Sequence, residues 1–281
     1  MLAADDAQTQ DGDDSTVNYS RYRYLLWGGE APAWVSCSIV RLHWSARPIA
    51  VMKGDCFRHD SHFTGFPMHV AQPQLIRETF PVGPLQCNCT IIGDPISKKA
   101  IVVDPGGNHE QILARLEAHG LKLVSIIHTH AHLDHFLASG LLKEKTGATL
   151  HLHKEDQFLW DNLEMQCQMF GVPYTPVPSP DRWLAEDEEL ACGCGVALHT
   201  PGHTPGSMSF WFADAKLLIA GDTLFKRGIG RTDLWGGDQA TIVRSIKQRL
   251  YRLDEDATVV TGHGPDTRLG DEMRQNPFVR A

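Results

Sequence analysis

No stretch of this chain stays apolar for the roughly 18 residues that a membrane helix needs, so no membrane partner is expected. Its start lacks a basic cluster followed by an apolar segment. It is acidic instead, with Asp5, Asp6, Asp11, Asp13 and Asp14. That pattern disfavours a secretory signal and a mitochondrial transit peptide. Basic residues are also in the minority: 26 Lys and Arg against 34 Asp and Glu give a formal charge of −8. The balance speaks against nucleic acid as a partner. The 7 cysteines are odd in number and come without a signal, so they read as reduced thiols in a cytoplasmic compartment. Cys87-Asn88-Cys89 and Cys192-Gly193-Cys194 both space thiols two apart, a pattern open to metal or redox use. The better reading has Cys87 and Cys89 opening a strand whose alternation turns both to one face. What is present suffices for one large domain with a buried core: 281 residues, 42% of them hydrophobic.

The chemistry concentrates in Thr129-His130-Ala131-His132-Leu133-Asp134-His135, directly after the apolar run Leu123-Val124-Ser125-Ile126-Ile127. Strand alternation puts His130 and His132 on one side, and the following turn re-aims Asp134 and His135. Imidazole with carboxylate suits zinc, iron or manganese. No cysteine stands among them, which speaks against a closed structural zinc site. His203, in His199-Thr200-Pro201-Gly202-His203, Asp222, after Leu217-Leu218-Ile219-Ala220-Gly221, and His263, in Gly262-His263-Gly264-Pro265, are three more ligand-type residues at strand ends. Adjacent glycines let the backbone turn sharply there, and such loops are where a scaffold displays chemistry. His128 shares the strand face of His130 and is expected to back the site or pack on the core. His151 and His153 read as structural or exposed, and His199 as a strand residue. No role is expected of His59, His62 and His69.

Residues 1–70 show no clear period and are read as an N-terminal extension, an added small subdomain or a misassigned start; residues 71–281 are the catalytic domain. From Leu75 the pattern sharpens. Strands are expected at 75–80, 90–92, 100–103, 123–128, 148–152, 196–199, 208–212, 216–220 and 258–261. Helices are expected at 109–119, capped by Asn108, at 136–145, from Lys154 towards Gly171, and at 239–253, capped by Asp238. Val243, Ile246, Leu250 and Leu253 form the apolar stripe of the last one. Periodicity alone gives a mixed α and β protein.

Five separated motifs in this order resemble the metallo-β-lactamase superfamily, and within it the glyoxalase II-like hydrolases, from about Leu75 to about Val279. The resemblance implies an α+β fold, a four-layer αββα sandwich with the metals at one edge between the sheets. It implies two divalent metal ions, zinc first and iron or manganese as alternatives. His130, His132 and His203 would hold one ion, Asp134, His135 and His263 the other, and Asp222 would bridge both. Asp134 and Asp222 are the expected catalytic carboxylates. Water between two such ions reaches a pKa near 7, which supplies a nucleophile.

The stretch from Gly221 to Asp233 resembles glyoxalase II-type and persulfide dioxygenase-type proteins. The expected reaction is hydrolysis of a small-molecule thioester such as S-lactoylglutathione. Arg231 either pairs with a glutathione carboxylate or makes a structural bridge to Asp233 or Asp238. The tail after His263, ending in Asn276-Pro277-Phe278-Val279, resembles a shorter group without the C-terminal helical region. An iron-dependent persulfide dioxygenase acting on glutathione persulfide is the alternative.

Overall fold

The computed structural model describes residues 75–192 and 195–281, together with the backbone of two strands nearer the start. The chain divides into the units Met1–His69 and Val70–Ala281. In the first, β1 (Tyr19–Leu26) and β2 (Ala33–Val40) pair antiparallel. The sequence reading had seen no element in that stretch. The remainder of the reading of residues 1–70, with His59, His62 and His69, lies outside the described residues, as do Gly193 and Cys194.

The second unit opens with β3 (Ile76–Val82), β4 (Cys87–Gly93) and β5 (Lys99–Val103). Then come α1 (His109–Ala118), β6 (Lys122–Ile127), α2 (Ser139–Thr146) and β7 (Thr149–His153). Two short helices, α3 (Gln157–Asp161) and α4 (Leu163–Phe170), lead to β8 (Arg182–Leu184). These strands form a six-stranded sheet in sequential order from β3 to β8. β9 (Val196–His199), β10 (Met208–Phe212) and β11 (Leu217–Gly221) begin the second sheet. The hairpin β12 (Leu224–Phe225) and β13 (Gly228–Ile229) and helix α5 (Gln239–Gln248) precede β14 (Thr258–Thr261), β15 (Thr267–Arg268) and α6 (Leu269–Gln275). The second sheet has the order β15-β14-β11-β10-β9.

Strict alternation makes four layers of these elements. Along β5, Ala100 and Val102 face one core, while Ile101 and Val103 face another. Along β11, Leu217 and Ile219 join Ile101 and Val103 between the two sheets, whereas Leu218 and Ala220 face outward. The outer face of the first sheet is covered by Ile112, Leu116, Leu142, Leu159 and Leu163 from α1 to α4. That of the second is covered by Ile242, Ile246 and Leu269 from α5 and α6. Each buried Leu or Ile contributes about 1.5–3 kcal/mol, and a one-residue slip of either strand would exchange its two faces. The result is the expected αββα sandwich.

Several local expectations change. β6 ends at Ile127, so alternation does not extend to the histidines. Residues 128–132 form a loop, followed by a 3-10 turn at Leu133–His135. Helix α2 therefore starts at Ser139 rather than 136. Asn108 makes no side-chain cap; it adopts a left-handed φ of 51°, and its Oδ1 accepts the Gly83 N–H at 2.7 Å. The helical stretch after Lys154 is broken at Asn162, whose Nδ2 donates to Phe158 O at 2.7 Å. Asp238 does cap α5, accepting the Thr241 N–H at 2.7 Å, but α5 ends at Gln248 and a 3-10 turn at Leu250–Arg252 follows.

Candidate metal centre

β5 and β6 run parallel, as do β11 and β14. Within each pair both C-terminal ends therefore lie at one edge, and the site is built there. Asp104 follows β5, the histidine loop follows β6, Asp222 follows β11, and His263 lies two residues beyond β14.

The loop after β6 is tied down from below. Asp104 Oδ1 accepts the Thr129 N–H at 2.7 Å, and its Oδ2 accepts the Thr129 hydroxyl at 2.6 Å. The same Oδ2 lies 3.0 Å from His135 Nδ1. Asp104 holds these contacts from a left-handed φ of 52°. A proton on His135 Nδ1 leaves Nε2 as the free ring nitrogen. Thr129 Oγ1, donating to Asp104, accepts from His130 Nδ1 at 3.1 Å, which likewise frees His130 Nε2. His203 Nδ1 donates to the Arg231 carbonyl at 2.7 Å, freeing its Nε2.

The freed nitrogens converge. His203 Nε2 lies 3.2 Å from His130 Nε2 and 2.9 Å from His132 Nδ1. Nearby, His263 Nε2 is 3.0 Å from Asp134 Oδ2, and His135 Nε2 is 3.7 Å from the same oxygen. Asp222 stands between the two sets: Oδ2 is 3.6 Å from His203 Nε2, and Oδ1 is 3.5 Å from His135 Nε2. Among the described residues, four groups of ligand atoms here each fall within 4.8 Å of one another: His130 with His132 and His203, His130 with His135 and Asp222, Asp134 with His135 and His263, and Cys87 with Asp104 and His135.

These donors fit divalent cations. His135 Nε2 and Asp222 Oδ1 are buried without a hydrogen-bond partner, an arrangement that costs free energy unless something else fills it. His130 Nε2 and His203 Nε2 face each other as acceptors, which a hydrogen bond between them cannot satisfy. Burial and the neighbouring imidazoles hold the His130 pKa well below its ordinary range, and burial with His203 pulls His132 to about 3. Burial acts to raise Asp134, but His135 and His263 beside it hold its carboxyl below the usual range. Burial opposes charge on His135, but Cys87 and then the carboxylates of Asp134, Asp104 and Asp222 outweigh it, raising that pKa. The imidazoles of His130, His132 and His203, all disfavoured as cations, beside the carboxyl of Asp134, favoured as an anion, suit positive charge. Cys87 Sγ lies 3.4 Å from His135 Nδ1, and burial pushes its thiol up to about 12.

All seven metal-site residues expected from the sequence are thus brought together. His128 is not. It turns into the core, where Nδ1 donates to the His151 carbonyl at 2.7 Å and Ser139 Oγ lies 2.8 Å from Nε2. It packs edge-on against Trp160, and burial lowers its pKa to about 4. His153, Glu155 and His199 form another group. There the rings of His153 and His199 stack 4.2 Å apart at 20°. Their lone pairs run in separate, nearly parallel planes, and one ion cannot lie in both. His199 Nε2 donates instead to the Pro205 carbonyl at 2.9 Å.

Arg231 lies at the surface, where its guanidinium meets Asp233 through two bonds of 2.8 Å. Lys226 and Arg227 are exposed. Sequence reasoning missed the residues that hold the loops. Asp104, directly after the strand expected at 100–103, was given no role. Asn88 was passed over, although its Nδ2 donates to the carbonyls of Thr261 and Gly264 at 2.9 and 2.8 Å, on either side of His263. Asp156 and Gln166 were also missed. The one available signal was Asp104-Pro105-Gly106-Gly107 at the end of a strand that precedes the motif strand.

Residues 82–263 match the family model of the metallo-beta-lactamase superfamily. Hydroxyacylglutathione hydrolase GloC of Haemophilus influenzae is 39% identical over 208 residues, which are 73% of this chain and 98% of that protein. Among solved structures, the B3 metallo-beta-lactamase BLEG-1 superposes with a TM-score of 0.68 at 33% identity, over 73% of this chain and all of that one. TTHA1623, solved in a di-iron-bound form, gives a TM-score of 0.68 at 35% identity, over 72% of this chain and all of that one. With its sandwich, its converging histidines and carboxylates and this similarity over nearly the full length of its relatives, the chain belongs to the metallo-beta-lactamase superfamily.

Proposed function

We propose that the protein is a metal-dependent thioesterase of the glyoxalase II type, acting on a small thioester such as S-lactoylglutathione. The observation that carries the metal-dependent part is Asp222, whose carboxylate reaches both imidazole sets: Oδ2 lies 3.6 Å from His203 Nε2 and 3.9 Å from His263 Nε2, and Oδ1 lies 3.5 Å from His135 Nε2. In this reading His130, His132 and His203 hold one divalent ion, Asp134, His135 and His263 a second, and Asp222 contributes to both. Two such ions, when bound, lower the pKa of water to about 7 and polarise a carbonyl oxygen. The chain's own part is orientation. Asp104, Thr129 and the Arg231 carbonyl fix ring tautomers so that the free nitrogens point inward. The thiolate released from a thioester is a stable leaving group and needs little help from an acid.

Support for the substrate class comes from the relative named a hydroxyacylglutathione hydrolase and from Arg231. The backbone of Arg231 touches His203, and its exposed guanidinium can pair with a carboxylate of the thiol carrier. The donor set suits zinc, iron or manganese alike.

The test is hydrolysis of S-lactoylglutathione by purified, metal-loaded protein, followed by loss of the thioester absorbance. Rapid turnover abolished by a chelator is expected. No turnover with metal bound would remove this substrate. Oxygen uptake on glutathione persulfide by protein holding only iron would then favour the dioxygenase reading, and opening of a β-lactam would favour the chemistry named for BLEG-1.

A further inference from the structure

We propose that Asp156 is the positioning residue that sets the separation between the two loops carrying the first imidazole set, His130 and His132 on one loop and His203 on the other. The inference rests on the metal-dependent reading above and deepens it. Asp156 closes the 3-10 turn Lys154–Asp156 after β7 and is fully buried. Its Oδ2 accepts the Ala131 N–H at 3.0 Å and the Thr204 hydroxyl at 2.7 Å, while Oδ1 accepts the Gly206 N–H at 2.6 Å. Ala131 stands between His130 and His132, and Thr204 follows His203. One carboxylate therefore ties together the two loops that carry the three imidazoles.

The fit is tight. A Cβ at Gly206 would lie 2.7 Å from Asp156 Cγ, so the loop approaches the carboxylate as closely as glycine allows. Gln166 steadies the other loop: Nε2 donates to the Ala131 carbonyl at 3.0 Å, and Oε1 accepts the Leu133 N–H at 2.9 Å. The second set is anchored elsewhere, His135 by Asp104 and the His263 loop by Asn88. Imidazole nitrogens must reach about 2.0–2.1 Å from an ion such as zinc, so a small separation of the loops is felt most at the first set, whose ligands come from both loops. An amide in place of the carboxylate is nearly the same size but turns N–H groups towards donors that need an acceptor.

The test uses the full chain, stripped of metal and titrated with cobalt(II). Visible absorbance, bound cobalt per chain after dialysis and circular dichroism are read together, with kcat and KM on the thioester. Wild-type protein should bind two equivalents. Asp156→Asn should keep one at wild-type affinity and bind the other about 10- to 100-fold more weakly, as for other groups that orient ligands. Its kcat should fall while KM changes little. An Asp156→Asn protein that binds both equivalents with wild-type affinity overturns the inference. Wild-type protein that binds no cobalt overturns the metal reading, and the inference falls with it. If Asp156→Asn does not fold, Thr204→Val removes a single donor. Selective, several-fold weakening of one equivalent then supports the inference, and unchanged binding of both overturns it.

Discussion

Arg231 serves the site through its backbone and meets solvent through its side chain. The carbonyl fixes the His203 tautomer, while the guanidinium pairs with Asp233 on the exposed surface. An exposed pair of this kind adds little to stability, so a substrate carboxylate can take the place of Asp233. Arg231→Ala is expected to raise KM for a glutathione thioester about 10-fold, the worth of one charged hydrogen-bonded contact, with kcat little changed. Steady-state kinetics decide the matter: an unchanged KM leaves the guanidinium to its bridge with Asp233 alone. At this scale the ligand-type residues were legible because imidazoles and carboxylates at strand ends have few other uses. Asp104 and Asp156 were not. A single aspartate in a turn looks the same whether it faces water or carries three buried hydrogen bonds.

Between elements, the close approach of β11 and β14 places Asp222 beside the loop of His263. The Gly262 N–H donates to the Gly221 carbonyl at 2.8 Å. A Cβ at Gly262 would fall on Asp222 Oδ1. Gly262→Ala should therefore displace the Asp222 carboxylate while leaving the sheet intact. We expect kcat to drop about 100-fold or more, as a misplacement near 1 Å does, with an unchanged circular dichroism spectrum. Near-normal turnover in that variant would mean that the position of Asp222 is not critical. The strands that flank the site were readable because residues such as Leu217 to Ala220 alternate between two cores. The two-residue strands β12, β13 and β15 are too short to show a period, and α6 lay in a tail read without a helix. The end of β6 at Ile127 was also hidden, because His128 and His130 continue the apparent alternation although they face opposite surroundings.

For the molecule as a whole, the site joins the two sheets at one edge. His130, His132, Asp134 and His135 come from the first sheet, and His203, Asp222 and His263 from the second. Ions bound there would cross-link the sheets and bind the folded chain alone. Each ion held at a hundred times its dissociation constant adds about 2.7 kcal/mol. Chelation should lower Tm by about 5–10 °C per ion for a domain of this size, measured by thermal melting with and without chelator. A Tm insensitive to both chelator and added metal would separate the site from the stability of the sandwich.

The sequence by itself determined the identity of the ligand-type side chains and the order of the strands that carry them; periodicity gave a mixed α and β protein, and the two-sheet sandwich came from the family resemblance of the motifs. These are local properties, written in spacing and residue type. Only the tertiary structure decided the surroundings of the other histidines and the anchors of the loops. It sent His128 into the core and His130 into the site, stacked His153 on His199, and set Asp104 and Asp156 beneath the loops. Those outcomes depend on where strands end and which loops touch across the two sheets, and contacts between residues far apart in sequence leave no period to read.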